Sequence, residues 1–286
     1  TIRSVHASAV GLNGMATEGS KNAMLDINGG TYSSEEGPAF FISNPESFKI
    51  AEAVVEGPSA LDARAGTIEL TDVTIRMNKS VSGSVGTSGP AGLNVAIGVY
   101  QWDSSSVGTA YGIPKVTLRN VTVETAQGVT KNCDVYYGSL SAGDSFTDAT
   151  KANNSKIRAA ELTILDGDGK QLFKVDSQST SAASSVKIDL TSNAGKLGIM
   201  KDSVLNCDIT AGEGSNKAIF SGIKAASALT IGVGSIVIDG EYTKNESTGS
   251  ITITGNARVS GTVDAGVTLN VASGAIAVVD TDLVIK

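Results

Sequence analysis

The chain has 286 residues, of which 41% are hydrophobic and 18% charged, and its net charge is -7. This composition supports a continuous core and argues against a charge-rich disordered chain. The acidic balance, without any cluster of Lys and Arg, argues against a nucleic-acid partner. No stretch approaches the ~20 continuous apolar residues of a membrane span, so no transmembrane segment is expected.

Short runs in which apolar and polar residues alternate recur along the chain, and helical periodicity is nearly absent. Such runs predict β-strands with two apolar side chains on one face and a polar one on the other. In chain order they occupy residues 68–70, 73–75, 116–118, 121–123, 162–164, 186–188, 229–231, 236–238, 251–253, 267–269, 276–278 and 283–285.

Residues 70–75 and 118–123 look like copies of one unit. In each copy Asp72 or Asn120 interrupts a strand, and a second strand starts at once. Asp and Asn tolerate left-handed backbone conformations, so these positions predict sharp corners. Short strands that meet at such corners are typical of a β-solenoid.

Three motifs resemble a known group of proteins. These motifs, INGGTY at 27–32, GTIEL at 66–70 and ITITGN at 251–256, resemble the right-handed parallel β-helix repeats of bacterial surface and adhesin-like proteins, a fold that pectate lyases share. The resemblance implies an all-β chain in which residues 1–286 form a single β-helix domain, and an antiparallel β-sandwich is the alternative.

The β-helix predicts which apolar side chains share a common core. Stacking would bury these side chains, at roughly 1.5–3 kcal/mol for each one that is fully buried. The predicted inward residues are Leu70, Ile75, Leu118, Val123, Ile251, Ile253, Val278 and Ile285.

Two polar segments, near residues 78–113 and 138–156, interrupt the repeat and predict loop insertions. Long loops on a rigid scaffold often carry function. The first insertion holds the candidate glycan-binding residues Tyr100, Trp102, Asp103 and Tyr111, because aromatic rings stack on sugar faces and carboxylates bind hydroxyl groups. The alternative is that these aromatic rings only anchor the insertion on the scaffold.

Other chemistry-bearing residues favour structural interpretations. His6 is the only histidine and lies near the start of the chain. Cys133 and Cys207 form neither a zinc ligand set nor a redox motif; we predict buried thiols, with one disulfide as the alternative. The segment from Asp166 has Lys170 at position 5, where a calcium loop needs an oxygen ligand, so residues 162–173 predict a hairpin with an Asp-Gly turn. No catalytic residue, metal or cofactor is assigned.

These observations favour a non-enzymatic protein that is secreted or displayed at the cell surface, where it contacts a glycan or a host or cell-surface protein. No signal peptide opens the chain, and we expect that one has been removed. A carbohydrate-active enzyme, either a polysaccharide lyase or a glycoside hydrolase, is the first alternative, because carboxylates on stacked strands can converge in space. A structural stalk without a ligand is the second.

Overall fold

The computed structural model describes the chain in separate ranges. They are residues 1–12, 23–42, 46–80, 94–100, 113–138, 160–175, 185–190, 196–199, 204–205, 209–211, 217–221, 224–225, 228–231, 234–244, 250–253, 256–263, 265–279 and 283–286. Throughout these ranges the ordered elements are β-strands, numbered β1 to β29 in chain order, and they form three sheets.

Sheet A has five strands. In spatial order they are β1 (Ile2–Ser4), β4 (Thr31–Ser34), β7 (Val54–Gly57), β10 (Thr74–Met77) and β13 (Thr122–Thr125).

Sheet B is the largest of the three. Its strands are β2 (Val10–Leu12), β5 (Pro38–Ile42), β8 (Ser59–Ala63), β11 (Val95–Tyr100), β14 (Cys133–Gly138), β17 (Ser185–Asp189), β18 (Lys196–Ile199), β19 (Val204–Leu205), β21 (Lys217–Ser221), β22 (Lys224–Ala225), β24 (Gly234–Lys244), β26 (Asn256–Val263), β28 (Ile276–Val279) and β29 (Val284–Ile285).

Sheet C has ten strands in an unbroken spatial order. They are β3 (Met24–Asn28), β6 (Ser47–Ala51), β9 (Gly66–Thr71), β12 (Pro114–Arg119), β15 (Glu161–Leu165), β16 (Gln171–Val175), β20 (Ile209–Ala211), β23 (Ala228–Ile231), β25 (Ser250–Ile253) and β27 (Thr268–Val271).

From β1 to β15 the chain passes through sheets A, B and C in turn, and each pass is called a circuit below. Within this part each strand pairs in parallel with the strand three places later, as β9 does with β12. Parallel pairing also prevails from β18 onward, for example between β25 and β27. This pairing overturns the antiparallel β-sandwich alternative, because sandwich strands pair in antiparallel fashion.

The two predicted copies are neighbours in the sheets. Leu70 pairs with Leu118 in sheet C, and Ile75 pairs with Val123 in sheet A. All four side chains are buried. The repeat seen in the sequence is therefore one structural unit placed on its copy, residue by residue.

The corners between sheets C and A repeat from circuit to circuit. Glu52, Asp72 and Asn120 have positive φ angles of 52°, 53° and 49°, which confirms the left-handed corners predicted at the last two positions. The Asp72 amide donates to the carbonyl of Arg119 at 3.0 Å, and the Asn120 Nδ2 donates to Asp72 Oδ1 at 2.6 Å. Each corner is thus hydrogen-bonded to the next.

Strands β16 and β17 run against their neighbours. β16 is antiparallel to β15 and β20, and β17 is antiparallel to β14, β18 and β19. The predicted hairpin is confirmed as the connection from β15 to β16: the Lys170 amide donates to Asp166 Oδ1 at 2.8 Å, and Gly169 supplies a φ of 82°. These two inverted strands separate the parallel strands β1–β15 from β18–β29.

Most of the predicted inward residues are buried, but two are not. Leu70, Leu118 and Ile253 are at most 3% exposed, and Ile75, Val123 and Ile251 are also buried. The prediction is wrong for Val278 and Ile285, which are 48% and 67% exposed.

Each exception has a physical reason. Val278 pairs with Arg258, which is exposed, so it lies on the outward side of its strand. Ile285 pairs with buried Val263 and therefore shares the inward side. It stays exposed because β29 is a terminal strand in the pairing of sheet B, with no described strand beyond it.

Candidate functional site

Sheet B differs from the other two sheets because its central strands are buried on both sides. Every residue of β8 and β14 is buried, as are residues 95–99 of β11. The inward side holds apolar residues such as Leu61, Ile97 and Val135. The other side, called the outer side of sheet B below, holds charged and aromatic residues. Buried polar groups need hydrogen-bonding or charged partners, so the contacts of these residues indicate what the site can do.

One group on this side joins Asp62, Arg64 and Phe41. Asp62 is 1% exposed and Arg64 is 5% exposed. The guanidinium donates to Asp62 Oδ2 from Nη2 at 2.6 Å and from Nε at 3.0 Å, and it lies 4.5 Å from the ring centroid of Phe41. A bidentate ion pair of this kind restricts the relative orientation of the two side chains. Removing one partner would leave a buried charge, at a cost of about 3–5 kcal/mol.

A second group is built around Asp134, whose side chain is fully buried. Lys131 Nζ donates to Asp134 Oδ1 at 2.5 Å, and the Leu190 amide donates to Oδ2 at 2.7 Å. The side chain of Asp189 is also hydrogen-bonded to Asp134. β14 and β17 pair Val135 with Ile188, which places Asp134 opposite Asp189 across the antiparallel ladder.

The surroundings of Asp134 shift two pKa values. Burial raises the pKa of Asp134 to about 6, with Lys131 opposing the shift and Asp189 adding to it. Burial, followed by the charge of Asp134, raises the pKa of the Cys133 thiol to about 12. Cys133 is a free, buried thiol, as predicted; Cys207 lies outside the described residues. Asp134 thus titrates near neutrality, whereas Cys133 stays protonated at physiological pH.

The sequence did not predict that Asp134 and Asp189 lie opposite each other, because these residues belong to strands that β15 and β16 separate along the chain. The pair formed by Asp62 and Arg64 does have a signal, since side chains two residues apart lie on the same face of a strand. For both pairs, the alternation of residues along a single strand could not predict that the outer side of sheet B is buried.

The candidate residues of the first insertion are only partly covered by the structure. Residues 95–100 of the predicted loop insertion form β11, a strand of sheet B, so residues 78–113 are not one continuous loop. Tyr100 is the last residue of β11, and nothing is described of its side chain. Trp102, Asp103 and Tyr111 lie outside the described residues, as do most residues of both insertions. Their role in glycan binding remains a prediction.

The remaining residues considered from sequence have ordinary surroundings. His6 lies at the surface with Nδ1 3.4 Å from Glu36 Oε2. Asp166 belongs to the hairpin turn, where Gly167 accepts a hydrogen bond from Arg119 Nη2 at 2.8 Å. In the described ranges His, Cys, Asp and Glu form no group of three or more that could hold a metal ion.

Sheet C presents a second surface of interest, a row of mostly polar residues with one member per strand. Residues of this row whose side chains are described are half-exposed or exposed. Lys49 Nζ lies 3.1 Å from Glu69 Oε2. Five of the other eight residues of the row are threonines. This polar row comprises Asp26, Lys49, Glu69, Thr117, Thr163, Lys174, Thr210, Thr230, Thr252 and Asn270.

No protein-family model matches this chain, and neither does any of the curated proteins or solved structures that were compared with it. Within the described ranges no helix is long and apolar enough to cross a membrane.

Proposed function

We propose that this chain is a right-handed parallel β-helix, secreted or displayed at the cell surface, that binds a glycan without catalysing a reaction. The repeated A–B–C circuits of β1–β15 support the β-helix, because they place copies of one unit in parallel register. Right-handed connections between parallel strands of one sheet are strongly preferred, which supports the handedness.

The observation that carries the binding proposal is where the two insertions rejoin the sheets. Residues 101–113 connect β11 to β12, and residues 139–160 connect β14 to β15. Both segments therefore pass from sheet B into sheet C, into the strands that contribute Thr117 and Thr163 to the polar row. In the sequence, the segment with Trp102, Asp103 and Tyr111 thus comes just before β12, the strand that carries Thr117 of the polar row.

The chemistry of the polar row suits an extended chain of hydroxyl groups. Ten strands spaced about 4.8 Å apart give the row a length of roughly 40 Å. Threonine hydroxyls donate and accept hydrogen bonds, as sugar hydroxyls do. Tyr100, Trp102, Asp103 and Tyr111 would add an aromatic platform beside the row, since aromatic rings stack on the apolar faces of sugars.

A glycan array with paired threonine variants tests this proposal. We expect the wild-type chain to bind an extended glycan, and the double variant Thr117→Val/Thr163→Val to lose most of that binding because two hydroxyls of the row are removed. The matched control is Thr74→Val/Thr122→Val, since these residues pair on sheet A. Equal losses in both double variants would contradict a site on sheet C. A wild-type chain that binds no glycan would favour a protein partner or a structural stalk.

Trp102→Ala separates the two roles of the first insertion. If the ring is a sugar platform, binding disappears and the melting temperature barely changes. If the ring only anchors the insertion, stability falls by about 3–5 kcal/mol, as for other buried aromatic residues. Trp fluorescence that is blue-shifted and unquenched by acrylamide in the wild-type chain would argue against the platform.

A carbohydrate-active enzyme is the second candidate, and the carboxyl pair of Asp134 and Asp189 favours it. General acid–base catalysis on glycans uses two carboxyl groups, one with a raised pKa, and burial raises the pKa of Asp134 to about 6. The complete burial of Asp134 weighs against contact with a polymer. Turnover of pectin, alginate or another polysaccharide that is lost in Asp189→Asn would favour the enzyme over the binding protein.

A further inference from the structure

The contact between β14 and β17 joins the first parallel part of the chain to the inverted strands. It is the antiparallel ladder by which sheet B continues beyond the five circuits of β1–β15. Most of its paired residues are apolar or neutral, as with Val135 opposite Ile188. Asp134 and Asp189 are the exception, because they place two carboxyl groups opposite each other at one end of this ladder.

Few charges surround this carboxyl pair. The residue beside Asp134 on β11 is Ala96, and the residue paired with Asp189 on β18 is Gly198. Lys131 contacts Asp134 directly. Lys187 and Asp189 lie on the same face of β17. Cys133 directly precedes Asp134 in the sequence of β14. Among the described residues around these strands, Lys131 and Lys187 are therefore the charged side chains beside the pair.

We propose that Asp134, Asp189 and Lys131 form a pH-sensitive latch, which holds β17 against β14 more tightly in mild acid than at neutral pH. A proton shared between the two carboxyl groups lets one donate a hydrogen bond to the other. Without that proton two carboxylates face each other across neighbouring strands, and like charges in this position destabilise a ladder. Lys131 compensates for one of the two negative charges.

The direction of the effect follows from linkage. The folded pKa of Asp134 is about 6 and its ordinary value is 3.8. The closed latch therefore holds more protons than the open one between these values, so opening becomes easier as the pH rises through this window. Between pH 5 and pH 7.5 the opening equilibrium should increase about tenfold.

Hydrogen exchange followed by mass spectrometry tests the latch in the full chain. After correction for the intrinsic pH dependence of exchange, residues 133–138 and 185–190 should exchange about tenfold faster at pH 7.5 than at pH 5. In Asp189→Asn the difference should become smaller, because an amide donates to Asp134 without needing a proton, although burial still raises the pKa of Asp134. Glu69→Gln, on exposed sheet C, is the matched control and should keep the wild-type difference.

Two results would overturn the proposal. One is equal corrected exchange of these segments at both pH values in the wild-type chain. The other is an Asp189→Asn variant that keeps the full pH dependence. If that variant does not fold, carboxyl carbon chemical shifts of the wild-type chain decide the matter: the pair must show a titration near pH 6 that coincides with the change in exchange. A pair that titrates only near pH 4 refutes the latch.

Discussion

Replacing Leu118 with Asp should strongly destabilise the chain's first parallel part. Leu118 is 0% exposed in β12 and pairs with Leu70 on one side and Ile164 on the other, both of which are buried. No polar partner lies in register with it. The new carboxyl group would therefore enter an apolar stack between two circuits.

The expected cost has two parts. Loss of a buried Leu side chain removes about 1.5–3 kcal/mol, and an unpaired polar group in its place adds about 1–3 kcal/mol. The free energy of unfolding should fall by about 2.5–6 kcal/mol in total, against roughly 5–15 kcal/mol for an ordinary folded domain. Thr117→Asp is the matched control: Thr117 is half-exposed on the opposite face of the same strand, and its cost should stay at or below about 1 kcal/mol, the part expected from the new carboxylate opposite Glu69.

Urea denaturation followed by far-ultraviolet circular dichroism at pH 7 measures both variants. Leu118→Asp should shift the midpoint strongly to lower urea, and Thr117→Asp should shift it only slightly. A loss below about 1 kcal/mol for Leu118→Asp, or equal losses for the two variants, would refute the inward assignment and with it the stacking of circuits.

Three further predictions concern other parts of the chain. Ile253→Asp should lower the melting temperature clearly, since Ile253 is 0% exposed; an unchanged melt would mean that β25 does not face the core. The contribution of Asp134 to the free energy of unfolding should decrease by about 2 kcal/mol from pH 4 to pH 6, because its raised pKa makes the folded state bind more protons there; a wild-type urea midpoint that increases over this range while that of Asp189→Asn does not would contradict this sign. Cys133 should resist alkylation at pH 8 until denaturant is added, as its pKa is about 12; peptide mapping distinguishes it from Cys207, and rapid labelling of the native chain would be incompatible with its burial.

The local features of this protein could be predicted from a few neighbouring residues at a time. Period-2 alternation predicted the strands that hold Leu70 and Leu118, because the pleat sends alternate side chains to opposite faces. Asp72 and Asn120 predicted the left-handed corners, and Asp166 with its glycines predicted the hairpin turn. Each of these features depends on the backbone preferences of a few neighbouring residues, so a short stretch of sequence is enough to specify it.

Which strands pair and which of their faces are buried depends on contacts that form only in the folded chain. The alternation of apolar and polar residues predicted burial correctly for Ile253 and wrongly for Val278 and Ile285. A period of two separates the two faces of a strand, but it does not show which face is inward or whether another strand packs beyond it. The contact of Asp134 with Asp189 depends on β17 running against β14, a direction that no local pattern encodes. Burial and charge proximity come from pairing between strands far apart in the chain, and the raised pKa of Asp134 depends on both.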